Sequence, residues 1–182
     1  LKEDLGTLEG WLDDIAGDIE DAQSDLEDAQ ADLDEFTDPQ NYVESEGRRY
    51  DSSDNAAMNR RNANLWDAYK AGDLTAHEYS DEVGKPYDDP DVAKELEKLK
   101  KEIKKEMEEA VKDAKSQVED LKEKQKEWNE LGAEMTAELE ECLTKLEELI
   151  KALEECKKQC KKGKVKIEDL GVIPEERGLF DS

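Results

Sequence analysis

The sequence predicts an all-α protein: an elongated antiparallel coiled-coil helical hairpin, with a small helical head inserted between its two long arms. Three observations carry this expectation. Apolar residues recur at alternating steps of four and three near both ends of the chain, over residues 1–36 and 107–160. Charged residues make up 43% of the 182 positions and aromatics only 5%, a composition between that of a globular protein and a disordered one. The stretch between the two repeats has its own composition, holding all five tyrosines and four of the five arginines.

The first arm is residues 1–37. Leu5, Leu12, Ile19, Leu26 and Leu33 occupy position a of a heptad, and Leu8, Ile15, Ala22, Ala29 and Phe36 occupy position d. Such a seam turns one narrow stripe of a helix toward a partner helix. Gly6, Gly10 and Gly17 fall on the outer b and f positions, each costing about 1 kcal/mol against Ala. A helix so rich in Gly and Asp needs packing to hold it. The sequence opens at Leu1, already on the repeat, as a processed chain or an excised fragment would.

Residues 38–90 form the expected head. One short helix reads from Asp54 to Ala71, with Met58, Leu65, Trp66 and Tyr69 on one side and Gly72 as its stop. A second starts at Thr75, where Thr75-Ala76-His77-Glu78 reads as a capping box, and ends near Gly84 ahead of Pro86. The fifteen residues from Leu65 to Tyr79 resemble the helix–Gly–Thr–helix pattern of the SHOCT family of short oligomerisation modules. That resemblance implies a local helical turn and nothing about activity.

The second arm is residues 91–162. Asp88-Asp89-Pro90-Asp91 is an explicit start signal, because Asp89 can cap while Pro90 takes the first helical position, where its missing N–H does no harm. A seam follows from Met107 through Val111, Ala114, Val118 and Leu121 to Leu153, Cys156 and Cys160. Leu96, Leu99 and Ile103 are phased one step differently, as a stutter would give. Gln125 and Gly132 interrupt position a. A continuous helix would be roughly 105 Å long; with Gly132 as a hinge it would instead fold back into a bundle. Residues 163–182 leave the repeat, with Lys164-Val165-Lys166-Ile167 alternating like an edge strand inside an extended tail.

Charge separates the arms. The first holds 14 acids against Lys2 alone, within a net charge of −25 for the whole chain. Asp4, Asp18, Asp25 and Asp32 flank its seam at position g, while Lys101, Lys115, Lys122, Lys124, Lys145 and Lys157 flank the second seam. Acidic flanks against basic ones favour pairing between the arms over self-pairing of the first. So large an acidic excess repels phosphate, which argues against nucleic acid and anionic membrane as partners. No run approaches the apolar length of a membrane span.

Few residues suggest chemistry. His77 has no nucleophile beside it in sequence, and the chain holds no G-x-x-x-x-G-K, G-x-G-x-x-G or H-E-x-x-H, so no catalytic residue, cofactor or metal is expected. Cys142 and Cys156 would lie about 21 Å apart on one helix, beyond disulfide range. Cys142, Cys156 and Cys160 therefore read as interchain disulfide candidates in a parallel dimer, or as buried thiols on the seam. Cys156 and Cys160 alone supply two soft ligands where zinc needs four. Arg48, Arg49, Tyr50, Arg60, Arg61, Trp66, Tyr69 and Tyr79 concentrate residue types that dominate protein–protein contacts. They form either a recognition surface or a small local core.

The expected function is a non-enzymatic structural, scaffold or assembly role, with a protein partner or self-association through the heptad seams. Two other classes fit the same composition. One is a helical delivery or adaptor segment of a secreted effector or toxin; the other is an acidic DNA mimic that occupies a basic nucleic-acid-binding site. No compartment follows from the sequence.

Overall fold

Local capping chemistry sets where each helix of the head begins and ends. In a computed structural model, which describes residues 1–45 and 47–162, the order is α1 (Lys2–Thr37), β1 (Tyr42–Ser45), β2 (Arg48–Asp51), α2 (Ser52–Ala71), α3 (Ala76–Gly84) and α4 (Pro90–Lys161). The class is all-α, as expected. Asp51 caps α2, its carboxylate accepting from the Asp54 N–H at 2.9 Å. Gly72 ends it at φ 84°, a left-handed conformation that a Cβ would strain. At α3 the Thr75–Glu78 capping box is complete in both directions. The Asp89 carboxylate accepts from the Asp91 N–H at 2.9 Å at the start of α4.

One element departs from expectation. Tyr42–Ser45 and Arg48–Asp51 pair antiparallel, with Val43 opposite Tyr50 and Glu44 opposite Arg49. Gly47 at φ 75° supplies the backbone freedom that so short a connection requires. The pair ends directly in the Asp51 cap, so the strand hands its last residue to α2.

The described chain forms two compact units, one of residues 1–12 with the end of α4 from Lys126, the other of residues 13–125. In the second unit Phe36, Ala57, Val92, Leu96, Leu99 and Ile103 form a buried cluster, with Met58, Tyr87 and Met107 packed at its edge. Ala57 is fully buried there. Buried positions on α4 run Val92, Leu96, Leu99, Ile103, then Val111 and Val118, which follows the phase shift expected of a stutter. On α1 the d residues Ile15 and Ala22 and the a residue Ile19 are also buried.

In the first unit Leu8 is buried and meets Gly132: a Cβ at that glycine would stand 3.3 Å from Leu8 Cδ2. Trp11 and Trp128 lie with ring centroids 5.7 Å apart. Helix α4 passes through Gly132 without a break, so the glycine is no hinge. Gly6, Gly10 and Gly17 have nothing within 4 Å of a built Cβ, in keeping with outer positions. The strand expected at Lys164–Ile167 and the extended tail lie outside the described residues. No helix among the described residues is long and apolar enough to cross a membrane.

Candidate functional site

The arginine and aromatic residues singled out in the head separate into distinct environments. Arg61, on α2, is 2% exposed. Its Nε donates to Glu95 Oε2 at 2.8 Å, its Nη2 to Glu82 Oε2 at 2.9 Å and its Nη1 to the Glu82 carbonyl at 3.0 Å. One guanidinium thus ties α2 to α3 and α4, which the planar fork of Arg does better than the single ammonium of Lys. The Lys85 ammonium hydrogen-bonds Glu82 and, more than the nearby Arg61, holds that carboxyl below its ordinary value.

Arg60 donates to both oxygens of Glu106, at 3.2 and 2.8 Å, and each partner shifts the other toward its charged form. Lys100 on α4 pairs with Asp54 at the start of α2. Burial opposes the charge on Lys100, but Asp54 and Glu97 outweigh it and raise the pKa. Tyr50 packs on Tyr87 at 5.4 Å between centroids. Burial first, then a hydrogen bond to Asp54, raises the Tyr87 phenol well above its ordinary value. These contacts brace the head, and they already engage the guanidinium of Arg61 and the ring of Tyr50.

A cavity of about 470 Å³ opens beside them, lined by Arg48, Asn55, Asn59, Asn62, Lys85 and Tyr87 among others. The Asn62 Oδ1 is buried there without a hydrogen-bond partner among the described residues. Arg49 stacks over the Tyr42 ring at 4.3 Å, on the exposed face of the strand pair.

Trp66, Tyr69 and Tyr79 do come together. Ring centroids lie 5.6 Å apart for Trp66–Tyr69, 5.7 Å for Trp66–Tyr79 and 5.2 Å for Tyr69–Tyr79. Trp66 and Tyr69 stand one helical turn apart on α2, and the Gly72–Thr75 turn brings Tyr79 on α3 against them. Trp66 stays 45% exposed, with the Lys70 ammonium 5.9 Å from its ring centroid. His77 is exposed and 3.4 Å from Asp81. Among the described residues no three His, Cys, Asp or Glu side chains are placed to hold a metal.

The seam of α4 changes character beyond Leu139. Up to that residue its a and d side chains are buried or half-buried; from Cys142 to Leu153 they are exposed. Cys142 and Cys160 are exposed and Cys156 half-buried, all three as free thiols. Within the single chain no described segment lies over Cys142 or Cys160.

No family model, no curated protein and no solved structure matches the chain.

Proposed function

We propose that the protein is a non-enzymatic scaffold or assembly factor, acting through coiled-coil pairing and through contacts made by its head. The observation that carries this is the Trp66–Tyr69–Tyr79 cluster. Large aromatics normally bury themselves, yet here three share one face while Trp66 remains 45% exposed. Rigid aromatic surface held at low entropic cost is what a protein interface uses as an anchor. The engaged arginines add support, since they lock α2 and α3 so that the cluster is already organised before any partner arrives.

The antiparallel pairing of α1 with α4 belongs to the same proposal. It draws on Leu8 against Gly132 and Trp11 against Trp128, contacts that climb α1 while descending α4. Crosslinking in a native extract, with the intact chain and its W66A/Y79A variant, tests the head. A saturable complex lost in the variant, with helix content retained, supports the reading. Equal recovery with both chains, or no complex with either, overturns it.

A further inference from the structure

We infer that the exposed stripe of α4 is a dimer interface, and that its occupant is the same stripe of a second copy running antiparallel. The inference deepens the assembly reading above and rests on it. Leu149 and Leu153 are 61% and 70% exposed, and Leu143, Leu146 and Ile150 extend the same face. A contiguous apolar face of this kind on a charged helix marks an interaction surface.

The stripe is complementary to itself in one register. Antiparallel coiled coils set position a opposite position d of the other helix. Met135 and Leu139 are half-covered, the a and d side chains from Cys142 to Leu153 are exposed, and the half-buried Cys156 and exposed Cys160 continue the run. Pairing that run on itself places Cys142 opposite Cys160 of the second copy, Leu146 opposite Cys156, and Leu149 opposite Leu153. The two-fold axis then falls near Lys151, where the flanking residues Ile150 and Ala152 each meet their own equivalent. Both are apolar, so no like charges are forced together at the centre.

Charge decides the direction. Residues 134–148 carry six glutamates and one lysine, whereas residues 149–162 carry five lysines and two glutamates. Antiparallel pairing sets Lys161 and Lys162 beside Glu140 and Glu141 of the other copy. Parallel pairing would stack each block on its like, a repulsion acting within a Debye length of about 8 Å. A symmetric pair closed by a two-fold axis also ends at two copies rather than growing into a filament.

Light scattering on the purified, reduced 182-residue chain tests the inference. The expected mass is twice the 20.7 kDa of one chain, falling to the single-chain value in L149E/L153E with helix content kept and staying doubled in W66A/Y79A. A single-chain mass for the unmodified protein overturns the inference and assigns the stripe to another occupant. Direction is read with two single-cysteine chains, one keeping only Cys142 and the other only Cys160, and a short bis-maleimide. Crosslinks that form only when the two are mixed support antiparallel pairing; crosslinks in each chain alone overturn it. Because this uses the purified chain, its failure leaves the head reading intact, and failure of the extract experiment leaves the dimer intact.

Discussion

Leu8 Cδ2 occupies the space that Gly132 leaves by lacking a side chain, 3.3 Å from where a Cβ would be. The glycine that interrupts the heptad pattern is thus the socket for a buried leucine of the other helix. Its helix-propensity cost of about 1 kcal/mol is set against that closer approach.

Substitution at Gly132 should split by size. Gly132→Ala gains helix propensity and loses a few tenths of an ångström of clearance, so urea unfolding should move by less than about 1 kcal/mol. Gly132→Leu overpacks the contact and should cost about 1–3 kcal/mol. A stabilising Gly132→Leu would mean that Leu8 does not sit in that socket.

Arg61→Ala should destabilise by about 2–3 kcal/mol in the same assay, below the usual cost of breaking a buried pair because Glu82 and Glu95 stay partly solvated. Arg61→Met keeps the aliphatic stem and should lose less. Equal, near-zero effects for both would place Arg61 on a solvated surface instead.

Glu82 gives a pH signature. Its folded pKa lies below the ordinary 4.5, so its contribution is present above that value and is lost as pH falls through the depressed one. The stability gap between wild type and Glu82→Gln should be constant from about pH 6 to about pH 8 and close toward zero below the ordinary value. A gap that widens with acid would reverse the sign and refute the pairing with Lys85 and Arg61.

Caps in the head should behave locally. Thr75→Ala removes the acceptor for the Glu78 N–H and should cost about 1 kcal/mol. Gly72→Ala puts a Cβ on a φ of 84° and should cost about 1 kcal/mol too. Hydrogen exchange should report both as faster opening of α3 and the end of α2, with the amides around Leu96 and Leu99 unchanged. Equal acceleration there would show that the head and its core open as one.

The head helices were legible within about two residues because caps and stops are short-range chemistry. The expected Asp54 start became Ser52, while Gly72, Thr75 and Pro90 mark the boundaries they were read to mark. The strand pair is weakly signalled in the sequence, because charged residues surround Tyr42-Val43 and Arg49-Tyr50 on either side of the glycine. Of the eight head candidates, Trp66, Tyr69 and Tyr79 come together in one ring cluster, with Trp66 exposed and the two tyrosines half-buried.

By itself the sequence determined the helical class, the caps and the two apolar stripes, because each depends on residues within a turn or two of one another. Tertiary structure alone decided that Arg61 is buried, since its carboxylate partners are 21 and 34 residues away. It also decided that the stripe of α4 is covered as far as Leu139 and open from Cys142. Periodicity says that a face wants a partner; only the packed chain says which part of that face still lacks one.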